Sequence, residues 1–310
     1  MAAFFVTIWL KMDGVDIKLA PGKYVVAVSG GVDSIVLLDL LAKSSQNSVE
    51  LVVAHFNHGI RRGSEKDEKL VAAAAKKYGL TIEEVGHGHL GRDASEEKAR
   101  QARYGFLESV KKHRGAKAII TAHHQDDLIE TAMINILRGT GRRGLSAIAD
   151  NPLIIRPLLN VPKKDVTAYG RRNNLDWHED PTNLDTKYLR NYLRVKVIPK
   201  MTAIQKSKFL NNLGKIAKTN KELDQLIATI SHSLIDNREI DRAKFINLPP
   251  EIADEVLAGW LRYNKITQYD KKTIERISIA LKTAKPGTKV EAVGGRTILI
   301  GLKSAHLAGR

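Results

Sequence analysis

Short apolar runs alternate with amphipathic stretches along the first half of the chain. The runs at residues 24–28, 51–54, 81–85 and 118–122 are rich in apolar, branched side chains, which is typical of buried strands. Between them, apolar residues recur three and four positions apart, as in helices that cover a sheet. Strands and helices that alternate in this way predict an α/β fold with a parallel sheet and crossover helices.

The alternation ends at three prolines between residues 152 and 162, and a different pattern follows. Apolar residues at helical spacing over residues 205–234 predict a long helix or a pair of helices. Residues 242–282 predict two or three further helices, and a hairpin follows them. The chain has 310 residues, and single cores stop growing at roughly 250–300. We therefore predict two domains, residues 1–204 and a smaller, mainly helical region of residues 205–310.

Positive charge is concentrated outside the first third of the chain. Residues 1–100 are neutral overall, whereas residues 101–200 and 201–310 each carry a net charge of +8, giving +16 for the whole chain. A neutral front with a basic rear favours a large polyanionic partner over a small one. The alternative is that the charge only keeps the protein soluble.

The absence of cysteine restricts the chemistry. With no cysteine in 310 residues, the chain cannot form disulfides, thiolate metal sites or a persulfide relay. No apolar run reaches the ~20 residues that span a bilayer. The apolar stretch at residues 2–10 lacks the basic flank and cleavage site of a signal peptide. We expect a cytoplasmic protein that does not enter a membrane.

The junction of the first predicted strand and helix consists of Ser29, Gly30, Gly31, Val32, Asp33 and Ser34. Its glycines let the backbone approach an anion, and the following helix aims free N–H groups at that anion. A triphosphatase loop would carry a lysine here. The acidic Asp33 instead predicts a magnesium ion that bridges its carboxylate and a pyrophosphate leaving group. The loop therefore predicts adenylyl transfer from ATP, and the alternative is a purely structural turn.

A second polar cluster follows the fourth predicted strand, at His123, His124, Gln125, Asp126, Asp127 and Glu130. On a helix, Glu130 shares a face with Asp126 and Asp127. Carboxylates stacked beside a phosphate site can hold a metal or an ammonium group. The alternative is that they are the acidic residues that helix N-termini favour. Because parallel strands end at one edge of the sheet, we expect this cluster to lie beside the loop.

Several motifs occur in a set order between residues 24 and 201, namely SGGVDS, AHFNHGIR, AHHQDDLIET, RGTGRRGL, and EDPTN with RNYLR and VIP. This order resembles the tRNA(Ile)-lysidine synthetase family of the PP-loop ATP pyrophosphatase superfamily. The resemblance implies a PP-loop domain, which is Rossmann-like and similar to adenine nucleotide alpha hydrolases. It also implies an ATP-dependent ligase that adenylates the wobble cytidine in the CAU anticodon of isoleucine tRNA. Free L-lysine then displaces AMP at C2, and specificity changes from methionine to isoleucine.

The resemblance also implies roles for individual residues. The implied ATP-binding residues are Ser29, Gly30, Gly31, Val32, Asp33, Ser34, Ala54, His55 and Phe56. Asp33 would also help to place Mg²⁺, while Asp127 and Glu130 would orient lysine and accept its proton. The implied contacts to lysine or tRNA are Arg100, Arg103, His124, Asp126, Arg138, Arg142 and Arg143, joined by the catalytic Arg190 and Arg194.

Other interpretations stay open at this point. tRNA thiolation shares the adenylated base but needs a sulfur carrier, and a small-molecule amide synthetase shares the loop but does not need the basic charge. A non-catalytic RNA-binding protein would have no reason to keep Asp33, Asp127 and Glu130 together. Arg100 and Arg103 could instead form the solvated side of an amphipathic helix. A homodimer is possible, and we expect the C-terminal region to bind tRNA.

Overall fold

The computed structural model describes residues 19–44, 48–57, 59, 64–80, 82–87, 96–146, 153–179, 185–236, 238–266 and 268–308. The chain divides into two compact units, residues 1–214 and 215–310. The sequence placed the domain boundary at residues 204 and 205. The apolar stretch at residues 2–10 and the DPTN part of the fifth motif lie outside the described residues.

The first unit is built on a parallel sheet in the order β3-β2-β1-β4-β5. Its strands are β1 (Gly22–Ala27), β2 (Val49–Asn57), β3 (Ile82–His87), β4 (Ala118–Ile120) and β5 (Ile154–Ile155). Tyr24 on β1 pairs with Leu51 on one side and Ala118 on the other, so β1 is the central strand. The four predicted strands and their parallel arrangement are confirmed. Strand β5 was not predicted, because two residues among prolines carry no periodicity.

The helices of this unit follow the strands. They are α1 (Val32–Ser44), α2 (Ser64–Lys77), α3 (Glu96–His113), α4 (Gln125–Leu137), α5 (Arg142–Ser146), α6 (Lys163–Arg172) and α7 (Leu189–Tyr192). Helix α7 continues into a π-helical turn, Leu193–Val197, and a 3₁₀ turn, Ile198–Lys200. Helix α1 is buried on nearly all sides, because the sheet covers one face and α6 packs on another. The helix that follows the Ser-Gly-Gly loop is therefore held from several directions.

Asp39 anchors α1 from within this core. Its side chain is 1% exposed and accepts hydrogen bonds from the Tyr78 hydroxyl, after α2, and from the Tyr169 hydroxyl on α6 at 2.7 Å. Lys43, one turn along α1, pairs with it at 2.9 Å. A buried carboxylate is tolerated only when it is paired and hydrogen-bonded, and these three donors meet that need.

The second unit combines helices with an antiparallel sheet. Helix α8 (Ala203–Leu234) begins in the first unit and ends in the second. After it come β6 (Ile235–Asp236), β7 (Glu239–Asp241), α9 (Arg242–Ile246), α10 (Pro250–Tyr263), α11 (Lys271–Thr283), β8 (Thr288–Glu291), β9 (Thr297–Ile300) and β10 (Ser304–Ala308). The predicted helices and the β8–β9 hairpin are confirmed. The sheet is larger than predicted, with the order β6-β7-β10-β9-β8, because its added strands are too short to show alternation.

The second unit has a core of its own. Trp260 and Phe245 are fully buried at its centre, among the apolar faces of α10 and α11 and the inner face of the sheet. Arg242 is also buried, and its guanidinium donates to the carbonyls of Leu281, Gly301 and Ala284. Within the residues that the structure describes, no helix is both long and apolar enough to cross a bilayer.

Candidate active site

The Ser-Gly-Gly loop joins the end of β1 to α1 and is shaped by its own hydrogen bonds. Ser34 Oγ accepts from the backbone N–H groups of Ser29 and Gly30, at 3.1 and 3.2 Å, and donates to the Gly31 carbonyl at 2.9 Å. Gly30 has φ +90°, and a Cβ there would lie 3.3 Å from Cβ of Asp67. The loop needs glycine at this position for both reasons.

A segment that follows α6 packs against the same loop. The backbone N–H of His178 donates to the Gly30 carbonyl at 3.0 Å, and its ring Nδ1 lies 2.8 Å from Asp67 Oδ1 on α2. The sequence did not identify His178 or Asp67. Their contacts join residues more than a hundred positions apart, and no local pattern predicts such a pairing.

The β2 residues that the resemblance assigns to ATP binding, Ala54, His55 and Phe56, make structural contacts. His55 is 3% exposed, and its Nδ1 lies 2.8 Å from the Val28 carbonyl, so its ring links β2 to β1. The Ala54 carbonyl accepts from the backbone N–H of Val28 at 2.9 Å. Phe56 is half-buried, and its ring packs on Phe106 of α3 with centroids 5.4 Å apart. The predicted ATP contacts of these three β2 residues stay a prediction.

Asp33 forms an ion pair that the sequence did not predict. Both of its carboxylate oxygens lie 2.6–2.7 Å from Nζ of Lys163, the first residue of α6. His124 Nε2 is 3.6 Å from Asp33 Oδ2. The loop carboxylate is therefore in contact with the start of α6 and with the residue that precedes α4.

His124 and Asp127 cap the N-terminus of α4 in a reciprocal arrangement. The backbone N–H of His124 donates to Asp127 Oδ2 at 3.0 Å, and the backbone N–H of Asp127 donates to His124 Nδ1 at 3.4 Å. His124 Nε2 is also 3.3 Å from Asp127 Oδ2. The structural alternative for Asp127 is thus realised, yet Asp127 takes part in further contacts at its second oxygen.

Two arginines hold the carboxylates of α4. Arg194 donates from Nε to Glu130 Oε2 and from a terminal nitrogen to Asp127 Oδ1, both at 3.0 Å. Arg190 Nε lies 3.1 Å from Glu130 Oε1. Arg194 belongs to the π-helical turn after α7, and such turns occur frequently at functional sites. The predicted contacts of both arginines to substrate stay a prediction, since here they face protein carboxylates.

The site shifts the ionisation of its acidic groups in opposite directions. Burial raises the pKa of Glu130 to about 7, against the opposing effect of Arg194 and Arg190. Burial would also raise the pKa of Asp127, but His124 and Arg194 outweigh it and lower that pKa below its usual value. Two neighbouring carboxylates with separated pKa values are a common feature of acid–base sites.

Asp126 points to a different partner from Asp127. Its Oδ2 accepts from Nζ of Lys206, near the start of α8, at 2.9 Å. Its Oδ1 is buried and has no hydrogen-bond partner among the described residues. Within that part of the chain, no group of three His, Asp or Glu residues could hold a metal ion.

A cluster of arginines lies near His123. The guanidinium groups of Arg100 and Arg103 sit over the Tyr104 ring, 5.0 and 5.5 Å from its centroid. Arg156, which follows β5, lies close enough to Tyr104 and His123 to interact with both electrostatically. Burial and, to a smaller extent, the three arginines lower the pKa of His123 to about 4, although Asp127 opposes the shift. The sequence missed Arg156, which it had no reason to connect with α3.

The other predicted arginines lie away from this centre. Arg138 caps the C-terminus of α4, and Arg142 begins α5. Helix α4 has 13 residues, so its two ends are about 20 Å apart. The structure therefore does not bring Arg138 and Arg142 together with Asp127, and the side chain of Arg143 is not among those described.

The parallel sheet, the Ser-Gly-Gly loop after its central strand and the carboxylate at the start of α1 define an ATP-binding protein of the PP-loop class. A family model described as the PP-loop domain matches residues 11–201.

Sequence relatives narrow the class further. The tRNA(Ile)-lysidine synthase of Methylococcus capsulatus is 31% identical over 307 residues, which is 94% of this chain and 67% of that protein. The tRNA(Ile)-lysidine synthase of Thermotoga maritima is 38% identical over 191 residues, 59% of this chain and 46% of that protein. The chain belongs to the tRNA(Ile)-lysidine synthase family. The chain spans about half the length of several curated relatives that it matches.

A solved structure supports the fold. The U34-tRNA thiolase NcsA from Methanococcus maripaludis, with its [4Fe-4S] cluster, superposes with a TM-score of 0.51 at 17% identity. The match covers 68% of this chain and 76% of that chain. At this identity it bears on the fold alone.

Proposed function

We propose that the chain ligates free L-lysine to C2 of the wobble cytidine in the CAU anticodon of isoleucine tRNA, at the expense of ATP. The observation that carries this proposal is the continuous contact between the ATP loop and the acidic face of α4. Asp33 lies 3.6 Å from His124, His124 lies 3.3 Å from Asp127, and Arg194 joins Asp127 to Glu130. An adenylated base held over the loop would be within reach of an amine held by α4.

ATP would bind with its phosphates over the loop and the N-terminus of α1. The first N–H groups of a helix have no intrahelical partner, so they are free to donate to phosphate oxygens. Asp33 fits magnesium, which is commonly held by one or two carboxylates together with substrate phosphates. When bound, the ion would neutralise charge on the phosphates.

The lysine ε-amine must lose a proton before it can attack C2, because its pKa in water is about 10.4. Asp127 and Asp126 are partly exposed, so either can accept a hydrogen bond from the incoming ammonium group. Glu130 is 1% exposed and lies behind them, between Arg190 and Arg194. We assign Asp127 to orient the amine and Glu130 to take its proton.

The tRNA would bind through the basic part of the chain. The net charge of +16 lies entirely in residues 101–310, and phosphate contacts from lysine and arginine dominate affinity for nucleic acids. Arg100 and Arg103 lie over the Tyr104 ring, and both act together with Arg156 on the ionisation of His123, next to His124. This cluster is our candidate for contact with the anionic substrate.

The experiment that tests the function is incorporation of labelled lysine into isoleucine tRNA with a CAU anticodon, with ATP and magnesium. Methionine tRNA, which shares that anticodon, is the control. We expect incorporation into the isoleucine tRNA alone, and loss of it when EDTA removes magnesium. Release of pyrophosphate that depends on tRNA, without incorporation of lysine, would support adenylation and contradict lysine as the nucleophile. The absence of both lysine incorporation and pyrophosphate release would favour a binding protein.

A further inference from the structure

The loop after β1 lacks the lysine that reaches the outer phosphates in triphosphatase loops. In the folded chain, a lysine from a distant part of the sequence reaches this place. Lys163 lies 130 residues after Asp33, and its Nζ is 2.6 and 2.7 Å from the two oxygens of that carboxylate. A positive charge is therefore present beside the loop after all.

The position of Lys163 is set by how α6 packs on α1. A Cβ on Gly170 of α6 would lie 3.2 Å from the side chain of Val36 on α1, so the two helices approach closely there. Tyr169 of α6 donates to Asp39 of α1 at 2.7 Å. These contacts hold the first residue of α6 against the first turn of α1, where the phosphates are expected.

Stability does not explain the Lys163–Asp33 pair. The two side chains are 37% and 29% exposed, and an ion pair this open contributes only about 0–1 kcal/mol. The exposure also leaves the ammonium accessible to a ligand. With three N–H donors and a flexible stem, Lys163 can turn from the carboxylate to phosphate oxygens without movement of the helix.

We propose that Lys163 binds the β- and γ-phosphates of ATP and retains them as pyrophosphate. During adenylation the bond from the α-phosphorus to the bridging oxygen breaks, and its electron pair leaves with pyrophosphate. The ammonium of Lys163 stabilises that added charge, while the base oxygen forms the new bond to the α-phosphorus. This inference rests on the ATP site of the proposed function and names its phosphate-binding cation.

The test is the affinity of the full chain for ATP, pyrophosphate and AMP, measured by calorimetric titration with magnesium present. Because AMP lacks the two outer phosphates, Lys163→Ala should weaken binding of ATP and of pyrophosphate by about tenfold or more and leave AMP unchanged. Lys163→Arg should retain most of the ATP affinity. Lys164→Ala is the matched control, since Lys164 is the exposed neighbour on the same turn, and it should bind all three as the parent does.

Equal losses for ATP and AMP would overturn the inference, as would unchanged ATP affinity in Lys163→Ala or the same selective loss in Lys164→Ala. Lys163→Gln, which keeps a polar side chain, one atom shorter and without the charge, replaces the alanine variant if that variant does not fold. These titrations need neither tRNA nor lysine. A failure of lysine incorporation would therefore leave the result for Lys163 intact. Likewise, unchanged ATP affinity in Lys163→Ala would leave the proposed incorporation of lysine intact.

Discussion

At the scale of single residues, the centre of the site is a pair of carboxylates held by arginines. Glu130 is almost fully buried, and a buried carboxylate without partners would be strongly destabilising. Arg194 bridges Glu130 and Asp127, and its planar fork allows one hydrogen bond to each. The arginine thereby fixes the distance between the group proposed to orient lysine and the group proposed to take its proton.

Replacement of Arg194 should reduce lysine transfer without reducing ATP binding. In Arg194→Ala, Asp127 keeps only its contacts to His124 among the described residues and Glu130 loses a compensating charge, so lysine transfer should fall by about a hundredfold. Binding of ATP should stay within about twofold, because the loop is untouched. Single-turnover lysine transfer and ATP titration measure the two effects. Lys196→Ala, which removes an exposed positive charge from the same π-helical turn, is the control. Equal loss of ATP binding and lysine transfer in Arg194→Ala would contradict this separation.

The raised pKa of Glu130 predicts a pH dependence. With a pKa of about 7, Glu130 is protonated below neutral pH and can accept a proton only above it. The rate of lysine transfer at saturating substrates should therefore rise as pH increases through about 7. The side chain in Glu130→Gln does not titrate, so the increase in rate near pH 7 should disappear. Only the more gradual increase caused by deprotonation of lysine itself should remain. If the increase near pH 7 persists in Glu130→Gln, another group is responsible for it.

At the scale of elements, α1 is held by contacts on several sides. Asp39 connects it to Tyr78 after α2 and to Tyr169 on α6, and close packing at Gly170 adds to this. The same helix carries Asp33 at its first turn. Rigid support of α1 therefore positions the end of the site that is proposed to bind the phosphates.

Loss of the Asp39 carboxylate should destabilise the first unit markedly. Asp39→Ala leaves two hydroxyl groups without an acceptor and removes the partner of Lys43, which costs about 3 kcal/mol. Urea unfolding of the full chain measures the loss, and added ATP identifies the transition of the first unit. Asp165→Ala, at an exposed position of α6, should change stability by no more than about 0.5 kcal/mol. Similar values for the two variants would show that the Asp39 network contributes little.

At the scale of the whole molecule, two separate cores underlie the two units. The core of the first unit lies on both faces of its parallel sheet, around α1 on one face and against α3 on the other, and that of the second surrounds Trp260. Each core has its own sheet, one parallel and one antiparallel. Unfolding of the chain is therefore expected to have more than one step.

A cavity in the second core should leave the ATP site intact. Trp260 is fully buried, and its Nε1 donates to the Arg238 carbonyl at 2.8 Å. Trp260→Ala should cost the second unit about 3–5 kcal/mol. Scanning calorimetry should show one transition shifted to lower temperature, and ATP should still bind. Tyr263→Ala, on the same helix but 67% exposed, is the control. Loss of ATP affinity in Trp260→Ala would show that the units are energetically coupled.

The sequence predicted those parts of the candidate site whose residues lie close together along the chain. The loop at Gly30 and Gly31 and the acidic cluster at Asp126 and Asp127 each follow a buried strand, so their position at one sheet edge could be inferred. Lys163, His178 and Arg156 were missed. Each is an ordinary residue in its local sequence, and it reaches the site only through contacts across the fold.

The sequence by itself determined the parallel sheet, the Ser-Gly-Gly loop between β1 and α1 and the acidic start of α4, because strand patterns, glycine conformations and helix-terminal preferences act over a few residues. Only the tertiary structure decided which charges pair. It placed Lys163 on Asp33 and Arg194 on Asp127 and Glu130. Burial raises the pKa of Glu130, whereas His124 and Arg194 outweigh burial at Asp127 and lower its pKa. Charge pairing and burial depend on residues that are distant along the chain, and packing alone brings those residues together.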